Sequence, residues 1–360
     1  MDPFAHSFVG GALAAAGLKR ATPLATAALL LGANAPDVDI LTAFAGDYLA
    51  LAHRRGLTHG PLAWLVLPVL LTGLLLLWDR GVRRRLRPHL PPARGGPLWA
   101  LSTLAVLTHP ALDWLNNYGV RLLAPFDWRW FYGDALFIVD PWLWLAAGGA
   151  CTLHWARGRA ACLGWLGFWS AASLLVLATP LAPWPAKLLW CAGLAGLACL
   201  AARGAGRGPQ PARCALLFAA LWGAGNAAAS AAAEARVATA VGVPAARVMV
   251  APVPANPFRG AVVIDADAFY RLGEWHWLGA PRFRPGARLA KGLDHPAVVA
   301  ASRHPWAVRF LTWSRFPLAR VTADGTGFVV AFADARYPPQ RAGLRGPVLR
   351  VAGGRVEPAP

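Results

Sequence analysis

The sequence predicts a mainly α, polytopic membrane protein. The expected fold is a helical bundle of about six spans, opened by a short N-terminal helical hairpin and followed by a soluble C-terminal α+β domain. Three observations carry this. Apolar residues make up 57% of the 360 residues and charged residues 14%, against roughly 25% charged in soluble domains. The apolar residues gather into runs close to the ~20 residues that cross a bilayer. Beyond about residue 235 the runs give way to short alternating segments separated by turn signals.

Taken in order, Ala5–Leu18 and Thr22–Ala33 are apolar but short, which suits a hairpin packed within the bundle. Gly60–Trp78, Leu98–Leu115, Leu136–Trp155 and Ala161–Thr179 read as full spans. Leu188–Ala202 and Cys214–Ala233 are shorter or richer in alanine and complete the six. A cleaved signal is not expected, because the basic pair Lys19-Arg20 follows the first apolar run instead of preceding it. These elements form an expected membrane domain over 1–235. Residues 236–360 are expected to form a basic domain with β-type runs at Val248–Val253, Ala261–Ile264 and Gly327–Ala333, a turn at Asp324-Gly325, and one amphipathic helix within His304–Phe316.

Lys plus Arg is 35 against 17 Asp plus Glu, for a net charge of +18. The cations are scattered between apolar runs instead of forming one stripe, so no nucleic-acid partner is expected. They do follow the positive-inside rule. Arg80, Arg83, Arg84, Arg85, Arg87 and Arg94 crowd the loop after Gly60–Trp78, and Arg157, Arg159, Arg203, Arg207 and Arg213 fall in loops on the same side. That assigns a multi-pass inner-membrane protein with these loops in the cytoplasm. The five cysteines, Cys151, Cys162, Cys191, Cys199 and Cys214, are odd in number, include no CxxC pair and lie in or beside apolar runs, which implies no disulfide framework.

Ionisable residues are few within a membrane domain, and those present mark function. Here they form clusters: His6; Asp37 and Asp39; His53, Arg54, Arg55 and His59; His109 and Asp113; and Asp134 and Asp140. With the basic loops inside, these clusters converge on the outer face. Imidazole and carboxylate together suit a divalent transition metal, Zn²⁺ or Mn²⁺. His109 and Asp113, four residues apart, share one helix face.

At these residues the sequence resembles the YdjM/YfhP-like family of membrane-bound metal-dependent hydrolases. The matching elements are His6, Pro36-Asp37-Val38-Asp39, Arg55-Gly56-Leu57-Thr58-His59, His109-x-x-x-Asp113 and Asn117-Tyr118-Gly119. Further similarity follows at Asp140-Pro141, Arg303–Pro317 and Asp334–Tyr337. Two positions depart from the family pattern. Arg54 stands where the family often has His, and Gly60 stands where it often has Ser after the Thr-His pair. The resemblance, added to the clusters, implies a hydrolase that cleaves an ester or phosphoester through a metal-activated water at the outer membrane interface. His6, Asp37, His59, His109 and Asp113 are the expected ligands, and Asp39 an outer or bridging carboxylate. Asp39, Asp113 and Arg55 are the expected catalytic groups, with Arg54 and Arg55 facing a substrate anion. His53, Asp134 and Asp140 stand at the margin of the set. The expected partners are the lipid bilayer and a small-molecule or lipid-linked substrate. The competing reading is a non-catalytic protein that uses the same cluster for structural metal binding or for ion or proton transport.

Overall fold

The computed structural model describes residues 1–205, 208–337 and 346–359, so Arg207 lies outside the described residues. The chain groups into two compact units. The first comprises Met1–Asp39, Arg55–Ala229 and Pro252–Pro257; the second comprises Ile40–Arg54, Ser230–Ala251 and Phe258–Pro360. The helices in chain order are α1 (Pro3–Ala15), α2 (Ala25–Asn34), α3 (Asp47–His53), α4 (Pro61–Trp78), α5 (Gly95–Trp114), α6 (141–155), α7 (Arg159–Ala178), α8 (Trp184–Ala202) and α9 (Gln210–Val241).

The first unit is built around α5. Helix α1 begins where the Asp2 carboxylate accepts from the N–H groups of Phe4 and Ala5, at 3.0 and 3.1 Å, and Pro3 supplies a first helical residue that needs no partner. Glycines let the next helices approach closely. A Cβ on Gly10 would stand 2.6 Å from the Leu29 carbonyl, and one on Gly32 would stand 2.7 Å from the Ala105 Cβ. Helices α1 and α2, α2 and α5, and α4 and α5 therefore pack in direct contact. Leu29, Leu98, Ala105 and Ala28 fill the seam.

The basic loops meet at one end of this unit. The Arg94 N–H donates to Thr22 Oγ1 at 2.8 Å and its guanidinium donates to the Ala21 carbonyl. Arg83 pairs with Asp79 and donates to the Pro91 carbonyl, and Arg213 Nε donates to the Ala16 carbonyl at 3.2 Å. Helices α2 and α5 run away from this end towards Asp37 and Asp113, and α4 runs to it from His59. Basic residues at one end and the His/Asp residues at the other match the expected polarity.

Several expected spans are adjusted. Five stretches among the described residues are long and apolar enough to cross a membrane: Ala25–Ala45, Pro61–Leu86, Arg159–Ala178, Trp184–Ala202 and Gln210–Val241. The Thr22–Ala33 segment is thus longer than expected, because a 3₁₀ stretch, Ala35–Ala45, continues α2. The Leu136–Trp155 span is shorter. Residues 136–140 are not helical; Asp140 caps the helix by accepting from the Leu143 N–H at 2.8 Å, and helix starts at Pro141. Helix α9 runs through the expected boundary at 235. The loop between α5 and α6 is ordered by bridges pairing Asn116 with Leu136 and Val120 with Phe131.

Apart from Pro252–Pro257, which group with the first unit, the second unit holds two four-stranded sheets, β1-β2-β3-β4 (Val248–Val253, Asn256–Ala266, Phe269–His276, Phe283–Ala290) and β5-β6-β7-β8 (Pro317–Asp324, Gly327–Asp334, Val348–Ala352, Arg355–Pro358). Hairpins such as Asp324↔Gly327 close the antiparallel pairs, with Gly325 at a φ of 52°. Strands therefore dominate the expected α+β domain, with short helices α10 (Pro296–Ala301) and α11 (Pro305–Trp313). Met249, Val263 and Tyr270 of the first sheet pack on Phe316 and Leu318. Val250, Val262 and Ile264 pack on Ala233 and Val237 from the end of α9. Residues 40–54 belong to this unit, where α3 packs on α11. Asp334 is fully buried and accepts from Ser314 Oγ at 2.6 Å and from Arg336 Nε and Nη2 at 2.9 Å. Burial alone would raise its pKa; the Arg336 guanidinium, the Ser314 hydroxyl and the Arg336 N–H outweigh that and hold the carboxyl below its usual range.

Two outcomes follow. Gly32→Val should force α2 off α5, cost about 1–3 kcal/mol as overpacking does, and lower the denaturant midpoint of the detergent-solubilised chain followed by circular dichroism. Asp334→Asn should strip Arg336 of its charge partner and destabilise the second unit by about 3–5 kcal/mol. Because the folded-state pKa is depressed, the wild-type pair contributes fully above the unfolded value of 3.8 and is lost as pH falls below it. The wild-type advantage over the variant in denaturant midpoint should therefore shrink on acidification.

Candidate metal centre

Helix α5 brings His109 and Asp113 to one face, one turn apart, and Pro110 between them leaves the helix unbroken. Both side chains are fully buried. The close approach of α2 places the Ala33 carbonyl 2.6 Å from His109 Nδ1. A carbonyl only accepts, so Nδ1 carries the hydrogen and Nε2 keeps its lone pair. His59 is fixed the same way by a relay. Its Nδ1 lies 2.9 Å from Thr58 Oγ1, and Thr58 donates onward to Asp39 Oδ2 at 3.2 Å. His59 Nε2 is thereby also a bare acceptor.

These lone pairs face carboxylate oxygens. Asp113 Oδ2 lies 3.3 Å from His59 Nε2 and 3.5 Å from His109 Nε2. Asp37 Oδ1 lies 3.6 Å from His109 Nε2 and 4.0 Å from His59 Nε2. One ligand atom from each of the four residues falls within 4.8 Å of the others. Yet His59 Nε2, His109 Nε2 and Asp113 Oδ2 are buried and make no hydrogen bond. Each such orphan costs about 1–3 kcal/mol, and acceptors opposed to acceptors repel. A cation at their centre removes both costs. Four donors around an ion at about 2.05 Å would stand about 3.4 Å apart in a tetrahedron, close to the separations here. The donor set therefore fits a divalent metal.

The other oxygen of Asp113 is held by protein cations. Arg55 Nη2 lies 2.9 Å from Asp113 Oδ1, and the Met1 amino group also contacts that oxygen. Arg55 is buried, sits at a φ of 50°, and gives Nη1 to Asn116 Oδ1 at 3.2 Å and to the Gly119 carbonyl at 3.1 Å. Its guanidinium lies over the Tyr118 ring at 4.8 Å. Its N–H donates to Asp39 Oδ2 at 2.7 Å. Arg55, expected to face a substrate anion, is here buried and directed onto Asp113.

His6 is brought to the cluster but stands beside it. Its ring stacks on His109 with centroids 3.7 Å apart and planes 15° apart, and its Nε2 lies 3.4 Å from Asp113 Oδ1. Two stacked imidazoles present their in-plane lone pairs in parallel planes, so both cannot aim at one ion. Asp39 takes the outer position behind His59. Asp140 caps α6 and accepts from Trp222 Nε1 at 3.2 Å, and Asp134 is buried at a φ of 48°; neither joins the four. His53, exposed at the end of α3, and Arg54, half-buried after it, fall in the second unit.

Sequence reasoning passed over Asn116, which is fully buried and turns Arg55 by accepting from it, and Arg121, which is buried against Trp130 at 4.5 Å while its N–H donates to the Arg55 carbonyl at 3.0 Å. The available signal was the polar run Asn116-Asn117 directly after a helix bearing His109 and Asp113. Gly60 gains a reason from the structure: a Cβ there would stand 2.0 Å from the Ala124 carbonyl oxygen. The turn over 121–126 closes on the glycine that follows His59.

Comparison with known proteins agrees with the resemblance carried by these motifs. A family described as "YdjM inner membrane protein" matches residues 1–183. A relative named "Uncharacterized protein YfhP", from Bacillus subtilis (strain 168), is 28% identical over 131 residues. That match covers 36% of this chain and 37% of the relative, so it spans well under two thirds of either. No solved structure matches. The family match runs from His6 through every residue of the cluster and across half of the 360 residues, and on that footing the chain belongs to the YdjM inner membrane protein family.

Proposed function

We propose that this chain is an integral membrane, metal-dependent hydrolase of esters or phosphoesters, with its centre at the outer membrane interface. The observation that carries the reading is the set of buried, unpartnered acceptors, His59 Nε2, His109 Nε2 and Asp113 Oδ2, turned towards one another. Asp37, His59, His109 and Asp113 would hold the ion. When bound, it supplies Lewis acidity and lowers the pKa of water. The protein's own groups set the conditions for that. His109 is locked by Ala33 and His59 by Thr58 and Asp39, so both present Nε2. Arg55 clamps the far oxygen of Asp113, leaving Oδ2 for the ion. Asp37 is the one member of the four whose side chain is not fully enclosed, and it marks where a substrate enters.

One observation favours the competing, non-catalytic reading. All four candidate donors come from the protein, as they do in structural metal sites. Zn²⁺ held by these four residues would suit a structural role, and Mn²⁺, which takes more ligands, would leave room for a water.

Three measurements test this. Metal analysis of purified protein should find a bound divalent ion, with His59→Ala and His109→Ala each well below the wild-type content; Thr58→Val should weaken affinity by about 10–100-fold, the usual cost of losing an outer partner. Stoichiometric metal in both histidine variants would overturn the site. Screening phosphomonoester, phosphodiester and carboxyl ester substrates in nanodiscs should reveal turnover that a chelator removes, Mn²⁺ restores better than Zn²⁺, and Asp113→Asn abolishes. Folded, Mn²⁺-loaded protein that cleaves none of these moves the structural reading ahead. For sidedness, an impermeant thiol reagent on intact cells should label Arg129→Cys and not Arg84→Cys in a cysteine-free background; the reverse pattern would place the centre on the cytoplasmic face.

A further inference from the structure

Of the four donors Asp37 alone reaches the surface, and its surroundings are inverted relative to a water-facing active site. The side chains of His6, His59, His109 and Asp113 are 0% exposed, whereas Asp37 is 14% exposed. Three stretches of the first unit frame it. Residues 36–38 carry Asp37 itself. Residues 55–60 carry Arg55 and His59. Residues 120–126 lie against them, through the Arg121 N–H on the Arg55 carbonyl and the Ala124 backbone on Gly60.

In all three stretches the exposed side chains are apolar: Val38 at 50%, Leu57 at 47%, Leu123 at 39% and Phe126 at 74%. Of the charged side chains in the same stretches, Arg55 and Arg121 are buried and Asp37 is only partly exposed. Asp39, next in sequence after Val38, is buried as well. Water-facing surfaces carry their charges outwards, and segments in contact with lipid turn them inwards. The polar surface resumes just beyond, where exposed Arg129 pairs with Asp127 at 2.6 Å and Trp128 sits between them in the manner of an interfacial anchor. Asp37 and Val38 also lie within Ala25–Ala45, a stretch long and apolar enough to cross the bilayer.

We infer that the centre opens sideways into the bilayer, between Val38 and Leu57, and that its substrate is an amphiphile: a lipid whose headgroup ester or phosphoester reaches Asp37 while its acyl chain stays against the collar of Val38, Leu57, Leu123 and Phe126. The substrate half of this inference rests on the hydrolase reading; the sideways opening does not. A soluble ester would have to cross an apolar rim before meeting any polar group. A lipid already lies at that depth, and its chain contacts the rim without desolvation of polar groups on either partner.

The test separates the two halves. Nitroxides placed at Leu57→Cys and Leu123→Cys, in the cysteine-free full-length chain in nanodiscs, report collisions with molecular oxygen, which concentrates in the bilayer, and with a water-soluble nickel chelate. Oxygen collisions should dominate at 57 and 123, and the nickel chelate at an Arg129→Cys reference. Nickel dominance at both 57 and 123 would overturn the sideways opening, whatever the enzyme activity. For the substrate, Leu57→Asp puts a carboxylate in the path of the chain. It should leave metal content at the wild-type level and raise KM for a long-chain ester by about tenfold relative to a short-chain one. Equal changes for both chain lengths would overturn the amphiphile. Absence of any ester turnover, with oxygen dominance intact, would remove the hydrolase reading and leave the bilayer-facing centre standing.

Discussion

Two carboxylates and two imidazole lone pairs face one another inside the first unit, and a cation at their middle would relieve that opposition. Much of the first unit serves to hold it. The interior cannot screen like charges as water does, so every supporting group acts on the position of a donor atom. The glycines at 10 and 32 bring two helices near enough for a backbone carbonyl to fix His109. The threonine beside His59 passes orientation outwards to Asp39. Arg55, held by Asn116, Gly119 and Tyr118, takes one oxygen of Asp113 and so dictates what the other is free to do.

The same constraint separates the two ends of the bundle. One end collects arginines whose hydrogen bonds run to carbonyls and to Asp79, with their charges near water. The other end buries its charges and shows aliphatic and aromatic side chains. A single set of helices, α2, α4 and α5, carries both patterns, because each has a basic residue or loop at one end and a donor at the other. The cluster is therefore a property of helix direction and helix contact together, and neither alone would assemble it.

Much of this was legible beforehand. Charged residues are so scarce in the apolar chain that His6, Asp37, Asp39, Arg55, His59, His109 and Asp113 stand out, and charge asymmetry between loops set them on a common face. What resisted reading was contact geometry. Arg55 looks like a free cation in sequence, and only its buried partners turn it into a clamp. His6 reads as a ligand by position, and the structure stacks it on His109 beside the four, with both ring nitrogens buried and without a hydrogen bond. Asn116 and Arg121 are common residue types in what reads as a surface loop, and nothing in a one-dimensional pattern says that the loop folds back under itself. Span ends failed for a similar reason: 136–140 is as apolar as helix, but Asp140 caps the next turn and fixes the true start. In the second unit, strands with a strong apolar signal such as β1 and β6 are legible, while the exposed β4, with two arginines, carries too little apolar signal to be seen.

The segment over 40–54 has a bearing on how the protein is made. It joins Asp39 to Arg55, two residues that touch through a hydrogen bond, yet it packs with α11, more than two hundred positions later in the chain. During synthesis the ligand-bearing helices leave the ribosome first, and α11, on which α3 packs, emerges long after them. The packing of α3 on α11 is therefore made after all four donors have been synthesised, and a product truncated before α11 would carry the donors without it.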